Sequence, residues 1–247
     1  MKRLLALILL LAFSFAATAG PADSVVRLPS HGGSGTVIAT GEGWTLILTC
    51  YHCFEGNSRT KPIAIDMPHP APGAPRQVGV KLIALGSMDA DLALIRMNVG
   101  PVPYVSPVAP LSQQLSDCWS IGFDEMKTPA KQKGAKIVGT ETNRFLTDAR
   151  PFHGRSGGGL IDKKTGYLVG VCSAYTGPHR RQNNPAEDYM RGHNGVYASL
   201  PAIHRFLAKA GVMECQLPDI GSPSPFVQPR QPQQQFRPQP FAAPGGL

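Results

Sequence analysis

The chain has 247 residues, enough for one large domain or two small ones. Hydrophobic residues make up 42% and charged residues 16%, a charge density too low for a coiled coil or a charge-driven disordered protein. Glycine (27) and proline (24) point to many turns and short elements. The net charge of +8 comes without aromatic–basic repeats or zinc-finger spacing, so it reads as a mildly basic surface and not a nucleic-acid footprint.

Lys2 and Arg3 precede an apolar run from Leu4 to about Ala16, and Ala17-Thr18-Ala19 follows. A basic start, a short apolar stretch and small residues before a cut predict an export signal, residues 1–19, cleaved after Ala19. The run is short for a bilayer span, and no later segment is apolar enough for one. No cysteine follows the cut to carry a lipid. The expected product is an exported chain with no stable membrane anchor, periplasmic, cell-surface or secreted.

From about Val25 to Ala198 the apolar runs are short and β-branched, with Gly or Pro between them. Strands are expected at Thr36–Ile38, Trp44–Thr49, Val80–Leu85, Leu92–Met97, Lys136–Val138 and Tyr167–Cys172. Many short strands read as a sandwich or barrel. The stretch Gly100 to Pro110, with Pro101, Pro103, Pro107 and Pro110, divides this body into halves of about 25–100 and 111–198. One helix is expected at about 200–210. Ser199 can cap it, Pro201 sits in its first turn, Leu200, Ile203, Phe206 and Leu207 share a face, and Gly211 can stop it. Residues 216–247 hold eight prolines and seven glutamines and no sustained apolar pattern. They read as a disordered or extended tail, a linker or a weak docking segment for a partner.

The five cysteines are Cys50, Cys53, Cys118, Cys172 and Cys215, and the odd count leaves at least one outside any intramolecular disulfide. Cys50 and Cys53 form a C-x-x-C with no second C-x-x-C or H-x-x-x-H, which is a weak metal signal. The plainer readings are a local disulfide or two small buried residues.

Three places carry chemistry. An apolar strand, Leu46 to Thr49, ends abruptly in Cys50-Tyr51-His52-Cys53, which sets an imidazole at the end of a rigid sheet. Asp89-Ala90-Asp91 opens the strand Leu92 to Met97, where a carboxylate can accept the imidazole Nδ1–H; Asp89 and Asp91 both qualify. Gly154-Arg155-Ser156-Gly157-Gly158-Gly159 turns tightly around an exposed hydroxyl and can aim the N–H groups of Gly154 and Ser156 at one point. No Gly-Lys-Ser/Thr follows, which disfavours a phosphate loop.

Taken together, His52, Asp91 and Ser156 stand in the order His, Asp, Ser, each beside a β segment. At this point the sequence resembles the trypsin-like, chymotrypsin-fold serine proteases. Gly33 to Ile38 resembles the early G-S-G segment of that family, Thr49 to Cys53 its T-A-A-H-C, Asp91 to Ile95 its D-I-A-L-L and Gly154 to Gly158 its G-D-S-G-G. Thr147-Asp148-Ala149 is similar to the lead-in of the bacterial high-temperature-requirement proteases. Gly170 to Ser173 and Gly195 to Tyr197 resemble the later G-I-V-S and G-V-Y. The resemblance implies an all-β fold of two six-stranded antiparallel barrels with a C-terminal helix, spanning about 20–215. It implies a polypeptide substrate and a triad: Ser156 as nucleophile, His52 as base and Asp91 as its orienter. An oxyanion hole would come from Gly154 and Ser156. Ser173 would support the aspartate, Ser173, Ala174 and Tyr175 would line the substrate strand with Gly195 nearby, and no metal or organic cofactor is required.

Several departures bear on mechanism. Arg155 stands where the animal digestive members carry the aspartate that pairs with a new N-terminus after zymogen cleavage, and no I-V-G-G start is present. Trypsin-style activation is therefore not expected. Cys53 and Cys118 lack their usual family partners, Asp162 standing where that of Cys118 would be. Arg150, six residues before Ser156, falls near the family's primary-pocket floor; pointing inward it would favour an acidic side chain before the scissile bond, and pointing to solvent it would not. Two other readings stand beside the protease: a protease-like binding module without activity, and an α/β-hydrolase elbow at Gly154-x-Ser156-x-Gly158 with Asp188 and His193 or His204 downstream.

Overall fold

The computed structural model of the protein describes residues 20–55, 63–67, 77–86, 90–102, 104–115, 117–175 and 194–212. The predicted export signal, the tail at 216–247, Asp89, Cys215, Asp188 and His193 lie outside the described residues.

The first half is a closed six-stranded antiparallel barrel. Its strands are β1 (Val25–Leu28), β2 (Gly33–Gly41), β3 (Trp44–Thr49), β4 (Ala64–Asp66), β5 (Gln77–Leu85) and β6 (Ala93–Met97), in the spatial order β1-β2-β3-β6-β5-β4. Alternation sorts the side chains. Val26, Leu28, Val37, Ile47, Ile65, Ala93, Ile95 and Met97 fill the barrel interior, with Phe54 beside them. The intervening Ile38, Leu46, Leu48, Leu92 and Leu94 join a second cluster shared with the other half. Both faces of β3 are thus buried, which explains why Leu46-Ile47-Leu48 is a continuous apolar run and not an alternation.

The second half is an antiparallel sheet of β7 (Cys118–Gly122), β8 (Lys131–Ala135), β9 (Ile137–Thr140), β10 (Arg144–Thr147), β11 (Gly159–Asp162), β12 (Leu168–Tyr175) and β13 (Gly195–Ala198). Its order is β8-β7-β11-β12-β13-β10-β9, seven strands where six are expected from the sequence. The difference has a local cause. The edge strands β8 and β9 are two parts of one segment, separated only by Lys136. The Lys136 N–H donates to Asp148 Oδ1 (2.7 Å) and the Asp148 N–H donates to the Lys136 carbonyl (3.1 Å). That clamp bends the segment so that residues 131–135 pair with β7 and 137–140 with β10. The two edges of the curled sheet therefore meet at a single residue.

The expected helix is α1 (Leu200–Lys209), with Ser199 as its N-cap and Gly211 left-handed just beyond its end. Leu200, Ala202, Ile203, Phe206 and Leu207 are buried. His204 Nε2–H donates to the Ala109 carbonyl (2.7 Å), which ties the helix to the proline-rich connector. The connector in turn docks on β12 through Ala109 N–H to the Leu168 carbonyl (2.9 Å) and Leu168 N–H to the Pro107 carbonyl (2.8 Å). Among the described residues there is no alternation of strand and helix, so the α/β-hydrolase reading is set aside. No helix among them is long and apolar enough to cross a membrane.

Leu207 is fully buried in the cluster shared by both halves. Leu207→Ala is expected to lower stability by about 2–5 kcal/mol, read as a shifted urea midpoint. A change below about 0.5 kcal/mol would mean that α1 is not docked as described.

Candidate active site

The first barrel supplies an acid–base pair. In the β3–β6 ladder Thr49 pairs with Ala93, so the chain leaving β3 and the chain entering β6 share one end of the barrel. Residues His52–Phe54 form a 3-10 turn there, and Asp91 precedes β6 with a left-handed φ of 47°, a conformation that aspartate tolerates better than most residues. His52 Nδ1 lies 2.9 Å from Asp91 Oδ2, and the His52 backbone N–H donates to Asp91 Oδ1, also at 2.9 Å. Ser173 Oγ donates a short hydrogen bond to Asp91 Oδ2. Ser173 reaches it because β12 carries a bulge: Cys172 pairs with Tyr197 and Ala174 with Val196, which leaves Ser173 as the extra residue. The carboxylate is 10% exposed and the imidazole 37%. Hydrogen bonding to Asp91 raises the His52 pKa above the ordinary 6.5, against the opposing effect of burial. With Nδ1–H donated to Asp91, Nε2 carries the lone pair that can take a proton.

The second half supplies the turn that holds Ser156, between β10 and β11. Gly154 has φ +89° and a Cβ there would fall 2.4 Å from the Phe123 carbonyl; Gly157 has φ +81° and a Cβ there would fall 2.1 Å from the Ser34 carbonyl. Only glycine fits either place. Ser34 stitches the turn to the first barrel. Its N–H donates to the Ser156 carbonyl (2.7 Å) and its Oγ donates to the Gly154 carbonyl (2.7 Å). The Gly157 N–H donates to the Cys172 carbonyl (2.7 Å) and the Gly158 N–H to the Arg155 carbonyl (2.8 Å).

Arg155 points inward and is 1% exposed. Its guanidinium makes a two-pronged contact with Asp124, Nε to Oδ1 and Nη2 to Oδ2, both 2.7 Å. Nη1 donates to Ser120 Oγ (3.0 Å), and that hydroxyl also contacts Tyr197 Oη (2.6 Å). The neighbouring Glu125 N–H donates to the His153 carbonyl (2.5 Å). Because the peptide is planar and trans, anchoring the His153 carbonyl on that side turns the Gly154 N–H to the opposite side. Among the described residues neither the Gly154 nor the Ser156 N–H has an acceptor. This is the arrangement an oxyanion would need.

The structure brings His52 and Asp91 into contact and sets Ser173 against Asp91. It places Ser156 beside the same barrel end: the Cβ position of Gly157 lies 3.1 Å from the Cys50 N. In this state the nearest partner of His52 Nε2 is Cys50 Sγ at 3.7 Å, and among the described residues no hydrogen bond joins the imidazole to Ser156 Oγ. Ala174 is exposed on β12 and Tyr175 pairs with Gly195. A Cβ on Gly195 would lie 2.4 Å from the Ala149 carbonyl, so the position admits no side chain. Arg150 is half-buried between β10 and the serine turn. Asp124 and Ser34 were not foreseen as site residues. Their signal in the sequence is indirect: an arginine enclosed by glycines requires a buried counter-charge, but nothing local says which of the carboxylates supplies it.

The cysteines are free thiols, Cys50, Cys53, Cys118 and Cys172 alike, so the local Cys50–Cys53 disulfide is not formed; the two Sγ atoms lie 3.1 Å apart. Cys118 pairs across β7 and β11 with Asp162, and burial together with that carboxylate pushes its thiol up to about 12. Burial pushes the Cys50 thiol well up, whereas its hydrogen bond to Cys53 lowers the pKa of the latter. Cys50, His52 and Cys53 present three ligand atoms within 4.8 Å of one another, the one such cluster among the described residues.

The trypsin-like peptidase domain matches this chain over residues 33–171, more than half its length. The chain belongs to that family of trypsin-like peptidases. Its fold is similar to the crystal structure of the serine endoprotease from Yersinia pestis, at 20% identity and a TM-score of 0.58, covering 79% of this chain and 65% of that one. It is also similar to an inactive mutant of Rv3671c from M. tuberculosis H37Rv, at 17% identity and a TM-score of 0.55, covering 82% of this chain and 94% of that one. At these identities the likeness is one of fold, and this chain spans just under two thirds of the Yersinia protein. No curated protein matches the chain.

Asp124→Asn leaves the Arg155 charge buried and incompletely paired, and is expected to lower stability by about 3–5 kcal/mol in urea denaturation; a loss below about 0.5 kcal/mol would mean that the pair does not hold the turn. Only neutral His52 can act as base, so kcat/KM is expected to rise with pH through a pKa above 6.5. The same shift makes the His52–Asp91 pair stabilising below the ordinary imidazole pKa, a contribution lost as pH rises through the raised value. Asp91→Asn is expected to move the acid limb down and to lower turnover on the order of 10⁴-fold. An acid limb unmoved in that variant would separate the profile from this pair.

Proposed function

We propose that the protein is an exported endopeptidase that cleaves polypeptides through His52, Asp91 and Ser156. Ser156 Oγ attacks the scissile carbonyl while His52 Nε2 takes its proton. The N–H groups of Gly154 and Ser156 hold the tetrahedral oxyanion. His52 then returns the proton to the leaving amine, and a water repeats the sequence on the acyl-enzyme. Asp91 fixes the tautomer of His52 and stabilises its charged form, and Ser173 fixes Asp91. The observation that carries this reading is the combination of a carboxylate-bound imidazole with two N–H donors on the serine turn that have no acceptor among the described residues.

The substrate strand is assigned to β12. The β11-side bonding of β12 ends at Cys172, and among the described residues no strand pairs with that edge of Ser173, Ala174 and Tyr175, the edge proposed to take an extended peptide. Gly195 keeps the neighbouring wall free of a side chain. Arg150 on the loop beside it is the candidate for charge selection before the scissile bond. Residues 1–19 direct export, and residues 216–247 act as a linker or docking segment.

The test is hydrolysis of an unfolded protein substrate by the wild type, Ser156→Ala and His52→Ala. Each substitution is expected to lower turnover on the order of 10⁶-fold. Hydrolysis surviving either change, in protein free of other proteases, would overturn the triad. The exported protein is expected to begin at Gly20 in N-terminal sequencing, and retention of Met1 would overturn the export reading.

A further inference from the structure

From the thiol pair that flanks the imidazole, we propose that Cys50, His52 and Cys53 form a zinc-binding site, and that zinc bound there withdraws His52 Nε2 from catalysis. The inference rests on the proposed role of His52 for its second half only.

The backbone builds the cluster. Cys50 follows the last residue of β3, Tyr51 is helical, and His52 opens a 3-10 turn. The Phe54 N–H donates to the Tyr51 carbonyl (2.8 Å), and the tight turn this closes brings Cys53 back to Cys50. The two Sγ atoms lie 3.1 Å apart, and Cys50 Sγ lies 3.7 Å from His52 Nε2. All three ligand atoms fit within 4.8 Å. Tetrahedral zinc with its usual bond lengths sets two sulfurs about 3.8 Å apart and a sulfur and nitrogen about 3.6 Å apart. The sulfur–nitrogen distance already fits, and rotation of one thiol side chain supplies the rest. Nδ1 is held by Asp91 at 2.9 Å, so the ring presents Nε2 to the metal with a carboxylate behind it.

Two thiolates and one imidazole suit a borderline-soft ion such as Zn²⁺ rather than a hard one such as Mg²⁺. Binding releases the thiol protons to solvent and leaves a fourth position for water. The lone pair that would take the Ser156 proton is then the one bonded to the metal. The site is inhibitory and reversible: a chelator returns the imidazole to its catalytic use. It also explains why the cluster needs no second C-x-x-C, since the third ligand lies inside the first.

The test uses reduced protein in two arms. In the first, Ser156→Ala is dialysed against Zn²⁺ and, separately, titrated with Co²⁺. One zinc per chain and a thiolate-to-cobalt charge-transfer band are expected, and both are expected to vanish in Ser156→Ala carrying Cys50→Ser and Cys53→Ser. Absence of the cobalt band, or zinc binding that persists without the thiols, would overturn the site. In the second arm, wild-type hydrolysis is expected to fall about tenfold at zinc near ten times its dissociation constant, and to return with EDTA. Cys53→Ala alone is expected to hydrolyse substrate and to resist zinc. Equal inhibition of wild type and Cys53→Ala would overturn the blockade. Inactivity of metal-free wild type would instead count against the protease reading, with the first arm still deciding the zinc site.

Discussion

A guanidinium sealed beneath the serine turn is the constraint on which the site depends. Arg155 lies between the two residues whose N–H groups face the cleft, and its side chain leaves the turn inward. There it meets Asp124 in a two-pronged pair, 31 positions away in the same chain. A charge so enclosed cannot be left without its partner except at a cost of several kcal/mol, so the turn has one backbone course. The short turn that delivers Asp124 carries its own strain, with Glu125 and Met126 at left-handed φ of 51° and 59°. That turn also supplies the N–H that anchors the His153 carbonyl, so one local structure positions both the counter-charge and the peptide plane. In the digestive proteases that the sequence resembles, the residue before the serine is an aspartate that waits for a new N-terminus. Here the sign is reversed and the partner is internal to the chain.

The other half of the site comes from strand register. β3 and β6 end together, so a histidine three residues beyond one and an aspartate two residues before the other meet. The bulge at Ser173 then turns a hydroxyl out of the β12 ladder and onto Asp91. These parts meet the serine turn because β2, β3 and β6 each place apolar side chains on both faces, Val37, Ile47 and Ile95 on one and Ile38, Leu48 and Leu94 on the other. One face fills the first barrel and the other packs on the second sheet, with Ser34 bonded across the seam to the Ser156 and Gly154 carbonyls, both at 2.7 Å. Cleft chemistry is therefore carried on a continuous core and not on mobile loops.

Much of this was legible in the sequence, and the reasons are local. Trp44–Thr49 reads as a strand because its β-branched and aliphatic residues run without a break. The helix reads from Ser199, Pro201 and Gly211 because caps are chemistry of single residues. His52 and Asp91 stand out because each terminates an apolar strand. What stayed hidden depends on distance in the chain. Asp124 looks like any turn aspartate until Arg155 is folded against it. The seventh strand follows from the Lys136–Asp148 clamp, which bends one segment between two sheet edges. The thiol–imidazole cluster is a weak metal signal in sequence because no second C-x-x-C or H-x-x-x-H follows, and only the folded turn sets His52 with both thiols.

The account holds that the serine site is assembled in the chain with no activating cut. The most direct measurement is intact-mass and peptide-mapping analysis of the folded, metal-free protein after reaction with a fluorophosphonate. One phosphonyl group per chain is predicted, on Ser156, in protein with no cut beyond the proposed one after Ala19. A folded protein that takes no label, or takes it only after a further cut in the chain, would contradict it.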